Sequence, residues 1–279
     1  MRSLAEFVMK GRKQAIMAVL LLGLIPLLNL LNPVVVGLVM LRKGVKEATL
    51  ILAWAILPVG GWAIAGDIVP LIMLLGISGL ALLLRETESW ELTLLVSILI
   101  GISVEMYLRL RPEVLNLIFT QLEAYLATNS VQGLPQGVQI NDLREIVTSF
   151  IGSVYMFLAV MLLMLSRWMQ ATLYNTGGFK QEFHRLRIKQ KYALFLVGLM
   201  LLANFGILIP PTWLLYLVLP MLFSGVALLH AVVAQKKLSS MWLVAFYALI
   251  MLPLVVQLVV LLALIDSWYD FRTRLQKPV

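Results

Sequence analysis

The sequence contains no cysteine, which excludes disulfide frameworks, thiol nucleophiles and cysteine-ligated metals together. It holds two histidines, His184 and His230. That is too few for a His-rich metal site, so neither a metal nor another cofactor is expected. Charge is scarce: 13% of residues are Asp, Glu, Lys or Arg, where soluble domains carry about a quarter. The signatures of common enzymes are missing too. There is no HExxH, no GxSxG, no Walker or Rossmann glycine spacing and no pair of carboxylates on one face of an apolar run. A non-enzymatic protein is expected.

Apolar side chains fill the space left by these absences. They make up 61% of the chain, and the mean hydropathy is +0.96. No soluble core can hide so much apolar surface, so the expected solvent is lipid. A spanning helix needs about 17–25 mostly apolar residues. In hydrocarbon the backbone must satisfy its own hydrogen bonds, which selects helices. Residues 14–41, 48–65, 68–84, 92–108, 146–166, 192–209, 212–234 and 238–265 meet this requirement.

The run 14–41 is too long for one simple span, and Asn29, Asn32 and Pro33 interrupt it. A helical hairpin dipping into the membrane is expected there. It also exceeds the roughly 7–15-residue apolar stretch of a secretory leader, so it is read as retained structure. Pro253 can kink or fold back the run 238–265. Over residues 112–127, Leu115, Ile118, Phe119, Leu122 and Leu126 share one face and Glu113, Asn116, Thr120 and Glu123 the other. That is the pattern of an amphipathic interfacial helix. A polar loop follows at 128–145. The expectation is one all-α domain over residues 1–279, a polytopic transmembrane helical bundle of about eight to ten membrane segments.

Basic segments stay in the cytoplasm. The formal net charge of +8 is concentrated in residues 1–13 (+3), 42–47 (+2), 167–191 (+5) and 236–237 (+2), while Asp67 and residues 105–145 are acidic. This pattern predicts a cytoplasmic N-terminus, an external 128–145 loop and a basic cytoplasmic loop at 167–191. Anionic lipid headgroups account for the basic balance, so no nucleic-acid partner is expected. A single crossing by 238–265 would leave the tail outside, whereas a reversal at Pro253 would bring it inside.

The most unusual stretch is RWMQATLYNTGGFKQEFHRLRIKQK, Arg167–Lys191, with a Gly-Gly turn and six basic residues. Three readings stand side by side. It can anchor topology on anionic headgroups. It can form an anion site, with Arg167, Lys180 and His184 converging at the start of a helix opened by Gly177 and Gly178. It can also be a docking surface for a membrane-protein partner, presenting Asn175, Phe179 and Phe183. Phe179, Phe183 and Leu186 would share one face of a short helix.

Elsewhere, Asn29, Asn32 and Asn204 are candidate ligand-binding side chains between spans, or interhelical hydrogen-bonding groups. Glu105 and Arg109 have ion-pair spacing near a span end, and Asp67 is placed to cap the next helix. The pairs Gly61/Ala65, Ser97/Gly101, Ser149/Ser153 and Ala227/Ala231 permit close helix packing. A cleft joining Arg167, His184 and Asp266 or Asp270 would revive an enzymatic reading.

Two motifs resemble those of the YybS-like bacterial membrane proteins, a family without an established activity. The first is SRWMQATLYNTGGFKQEFHRLRI, Ser166–Ile188, with Trp168, Asn175, Gly177, Gly178, Phe179, Glu182, Phe183 and His184. The second is the tail LIDSWYDFRTRL, with Asp266, Trp268, Asp270, Phe271, Arg272 and Arg274. The resemblance implies a multi-pass protein of the bacterial inner (cytoplasmic) membrane, and it adds Asp266 and Arg272 to the contact candidates. More distantly, the chain is similar to the substrate-binding subunits of energy-coupling-factor transporters, which implies a small-molecule-binding or transport-related role. It is also similar to the rod-shape protein MreD, which implies an envelope scaffold. The transporter subunits dock a partner through small residues in their first helix, whereas here Ala227 and Ala231 lie in a late span.

Overall fold

The computed structural model describes residues 1–116, 119–121 and 140–276. All regular structure among them is helical. Five helices are long and apolar enough to cross a membrane. They are α4 (Val45–Ile64), α5 (Val69–Thr87), α6 (Trp90–Leu110), α7 (Ile140–Tyr174) and α10 (Leu214–Gln235). A sixth span is possible only if α11 (Met241–Leu249) and α12 (Pro253–Tyr269), bent by 116° from each other, are taken as one. The remaining helices are shorter: α1 (Arg2–Met9), α2 (Arg12–Leu24), α3 (Asn32–Lys43), α8 (Gly178–Arg185), α9 (Gln190–Asn204) and α13 (Phe271–Gln276). At 1.5 Å per residue, α2, α3 and α9 reach only about 18–23 Å against a hydrocarbon core of about 30 Å. The structure thus supports five full-length spans, or six with the bent pair, below the expected eight to ten membrane segments.

The expected hairpin at 14–41 is present as α2, a single 3-10 turn at Leu28–Leu31, and α3. Its two ends return to the same side, because Arg12 Nε donates to Glu47 Oε2 at 2.7 Å just after α3 ends. Helix α3 is apolar on all faces, and every residue from Asn32 to Leu41 is buried. It is the centre of the bundle, surrounded by α2, α4, α5 and α7. Ser166 of α7 comes close enough to donate to Val34 O at 3.2 Å, and Gly37 leaves room for that hydroxyl.

Asp67 lies one residue before the expected cap position: Ile68 is the N-cap of α5, and Asp67 Oδ1 accepts from Val69 N at 3.1 Å in the preceding turn. The small-residue pairs behave unequally. Gly101 and Gly152 let α6 and α7 cross so closely that a Cβ on either would lie 3.0 Å or less from the other's carbonyl oxygen. Ala227 and Ala231 are buried, while Gly61 faces open space.

Helix α7 begins at Ile140 and continues to Tyr174, so it takes in residues 140–145 of the expected external loop and the first third of the expected basic loop. At about 52 Å it overshoots the hydrocarbon. Residues 113–116 and 119–121 of the expected interfacial helix are helical. Residues 117, 118 and 122–139 lie outside the described residues. The question left open at Pro253 is answered by the break at residues 250–252. The chain turns back there, and Asp270 pairs with Arg187 at 2.7 Å, so the tail lies at the same end as the 178–189 segment.

Candidate functional site

The end of the bundle that carries the start of α6 is assembled from four stretches. Helix α5 closes at Glu88, which adopts a left-handed conformation (φ 51°) that reverses the chain. Ser89 then caps α6 by accepting from Leu92 N at 3.3 Å. Arg85 reaches across to the end of α3, where Nη1 donates to Met40 O at 3.1 Å and Leu41 O at 3.0 Å. Met40 O already accepts from Gly44 N at 3.2 Å, so the guanidinium reinforces that cap and adds a donor to Leu41 O. Gln170 of α7 adds a donor to Leu41 O at 3.2 Å.

The Gly-Gly turn opens a helix, as the sequence predicts. Gly177 takes a left-handed φ of 86°, and α8 starts at Gly178, whose N–H donates to Asn175 O at 2.8 Å. A Cβ at Gly178 would sit 2.2 Å from the Asn175 amide nitrogen. The aromatic residues of α8 do not form a free surface. Phe179 packs edge-on against Trp90 with centroids 6.4 Å apart, and Phe183 does the same against His230 at 5.4 Å. The only two histidines of the chain, His184 and His230, have ring centroids 6.5 Å apart. Partial burial, then Lys180, His230 and Arg272, hold the His184 imidazole below its ordinary value, so it is neutral at pH 7. His230 Nε2 lies 2.8 Å from Tyr247 Oη.

Arg167, Lys180 and His184 do not converge on one anion position. Arg167 donates to Glu182 Oε2 at 2.9 Å and also engages Glu182 Oε1 and Gln170. Lys180 points to solvent, and His184 belongs to the α8–α10 contact.

Between the α5–α6 turn and the α8–α9 linker lies an open cleft of about 840 Å³. One wall carries Arg85, Glu86, Thr87, Glu88 and Ser89. The opposite wall carries Arg167, Glu182, Arg185, Arg187 and Lys189, and Trp90 and Glu91 line the cleft between them. Lys189 and Glu91 join the walls: Nζ is 2.9 Å from Oε1, and the Lys189 backbone N–H donates to Oε2 at 3.1 Å. Trp90 is 7% exposed, and its indole N–H has no acceptor among the described residues.

The tail braces this region from behind. Asp266 is fully buried and Arg272 is 7% exposed. Arg272 Nη2 donates to Ser224 O at 3.0 Å, Nη1 donates to Leu186 O, and Nε faces Asp266 Oδ2 at 3.5 Å as an ion pair. Burial pushes the Arg272 guanidinium down to about 10, against the opposing pull of Asp266, so it stays charged at neutral pH. Burial opposes ionisation of Asp270, but bonds from Thr273 and the charge of Arg187 outweigh it and hold the carboxyl below its ordinary value. Asp266 and Arg272 therefore support the site and do not line it.

The other end of α6 is built differently. Glu105 is 1% exposed. It accepts from Arg109 Nε at 2.9 Å, Ser149 Oγ at 3.0 Å and Tyr216 Oη at 2.7 Å, which ties α6 to α7 and α10. The expected Glu105–Arg109 pair exists, at 2.7 Å from Arg109 Nη2, but it is the rim of a buried network and not a simple interfacial bridge. A smaller cleft of about 410 Å³, lined by Arg109, Arg144 and Glu145 among others, opens beside it.

Asn29 and Asn32 are buried at the turn of the α2–α3 hairpin. Neither lines either cleft. Space around Asn32 is tight: a Cβ at Gly23 would lie 2.8 Å from the Asn32 amide nitrogen and 2.4 Å from Pro58. Asn204 ends α9, exposed, in a helix that packs on α10 and α12. The three asparagines do not form one site. His184, Asp266 and Asp270 are absent from the lining that contains Arg167, so the constellation that would have favoured an enzyme is not assembled. Among the described residues, no group of three or more His, Asp or Glu could hold a metal ion.

The sequence reading missed Glu86, Glu88, Glu91 and Trp90. The signal was there: residues 85–91 carry a net −2 and 167–191 a net +5, and the structure sets these two segments face to face. Comparison with protein-family models, curated proteins and solved structures returned no match.

Proposed function

We propose that this is a non-enzymatic multi-pass membrane protein that binds a small polar molecule in the charged cleft at the end of the bundle. The observation that carries this reading is the cleft itself. Its volume of about 840 Å³ falls within the roughly 300–1,000 Å³ of small-molecule sites. It is walled by charges that the fold leaves partly unpaired. The tight packing around Asn32 and the remote position of Asn204 favour this cleft over a site between the spans.

The same reading gives the molecule an orientation. The cleft, the tail and the N-terminal segment lie in the cytoplasm of a bacterial inner membrane, because this end gathers the basic segments. The shorter helices α2, α3, α9, α11 and α12 are partial membrane segments, which brings the total near the expected eight to ten. Membership of the YybS-like family is proposed on the resemblance of the two motifs alone, and both lie in or behind the cleft. A role as an envelope scaffold has weaker support, because Phe179 and Phe183 are spent on Trp90 and His230.

The test is native mass spectrometry of the protein in lipid nanodiscs. A bound small molecule should be seen on the wild type and lost from a Glu88→Ala/Arg185→Ala variant. A molecule retained by that variant and lost from Asn29→Ala/Asn32→Ala would move the site into the bundle and refute the reading.

A further inference from the structure

The charges of the cleft can be sorted by whether the fold already uses them. Lys189 is paired with Glu91 and Arg167 with Glu182. Arg85 is spent largely on the carbonyls of α3. Glu86 has only a 3.9 Å approach from Arg85, and Glu88 and Arg185 make no ion pair among the described residues. All three are exposed. The free charge is therefore negative on the α5–α6 wall and positive on the α8–α9 wall.

We infer that the ligand of this cleft is a zwitterion, carrying an ammonium group and a phosphate or carboxylate. The ammonium lies toward Glu86 and Glu88, and the anionic group toward Arg185, since Arg187 is already paired with Asp270. This rests on the reading of the cleft as a ligand site. A purely anionic molecule meets repulsion from Glu86 and Glu88, and a purely cationic one meets it from Arg185, so each wall rejects half of the singly charged competitors. The Lys189–Glu91 pair closes one point of the cleft between the two walls. The second observation is Trp90, which lines the cleft while its more than nine-tenths buried side chain carries an indole N–H without an acceptor among the described residues. A free metabolite and a zwitterionic lipid headgroup share this chemistry.

The experiment uses the full chain in nanodiscs of phosphatidylglycerol, titrated with three soluble probes. Glycerophosphoethanolamine carries both charges, glycerol phosphate the anion only and ethanolamine the cation only. Glycerophosphoethanolamine should bind at least tenfold more tightly than either of the others. Glu86→Gln/Glu88→Gln should erase its advantage over glycerol phosphate, and Arg185→Gln its advantage over ethanolamine. In nanodiscs doped with phosphatidylethanolamine, selective retention of that lipid by the wild type and not by the variants would assign the zwitterion to a headgroup. Its absence alongside probe binding would assign it to a free molecule. Equal affinity for glycerol phosphate and glycerophosphoethanolamine, with binding still lost in Arg185→Gln, would overturn the zwitterion and leave the cleft as a binding site. No probe binding and no selective lipid retention would overturn both.

Discussion

Helix α6 ends in two opposite uses of carboxylates. Near its C-terminus Glu105 is 1% exposed and accepts hydrogen bonds from Arg109, Ser149 and Tyr216. Before its N-terminus Glu86 and Glu88 are exposed, and Glu88 has no partner among the described residues. A buried carboxylate without partners would cost several kcal/mol, so Glu105 can exist only because three helices converge on it. It fixes their arrangement and has no capacity left for a ligand. Exposed charges cost the fold little and keep that capacity. The molecule thus separates a locked end from a receptive end along one helix.

Breaking the locked end should have the largest effect. Glu105→Ala leaves Arg109, Ser149 and Tyr216 without their acceptor, and the expected loss is about 3–5 kcal/mol. It should appear as a large fall in thermal midpoint in detergent. Glu105→Gln keeps the shape and should lose less, because a neutral acceptor still serves Tyr216. Wild-type stability in the alanine variant would remove the lock.

Next comes the brace behind the receptive end. Arg272→Met leaves the Asp266 carboxylate buried without a countercharge, for an expected loss of about 3 kcal/mol. Adding Asp266→Leu should restore most of it, since apolar replacement of a buried pair is close to neutral. A double variant as unstable as the single one would show that the pair is not what holds the tail.

The receptive end itself should tolerate change. Glu88→Gln and Arg185→Gln should each shift stability by no more than about 0.5 kcal/mol while weakening ligand retention. The smallest effect concerns pH. The folded-state pKa of His184 lies below its ordinary 6.5. As pH falls from 6.5 toward the folded value, the unfolded chain takes up the proton first, and stability declines. A thermal midpoint that falls modestly between pH 7 and pH 5, with a shallower fall in His184→Gln, is the expected outcome. An identical slope in the variant would contradict it.

Much of this was readable from residue order. The hairpin at 14–41, the α8 turn at Gly177 and Gly178, the Asp67 turn and the Glu105–Arg109 spacing are local features. Local rules of backbone and helix geometry suffice for them. The break near Pro253 was also visible, although only the contact between Asp270 and Arg187 decided where the tail goes. The burial of Glu105 was not legible, because Tyr216 lies 111 residues away and nothing in the sequence announces their meeting. The cleft was hidden for the same reason. The basic 167–191 segment stands out by charge and the 85–91 turn carries a net −2, but their opposition comes from how α5, α6 and α7 pack. The role of the asparagines was not legible, because an amide in an apolar run looks the same whether it meets a ligand, a helix or a tight wall of side chains.

The measurement that tests the account most directly is hydrogen–deuterium exchange of the protein in nanodiscs, with and without glycerophosphoethanolamine. The account predicts that residues 85–91 and 182–189 gain protection together, while 104–110 and 144–149 at the locked end stay unchanged. Protection confined to the locked end, or none at either, would contradict it.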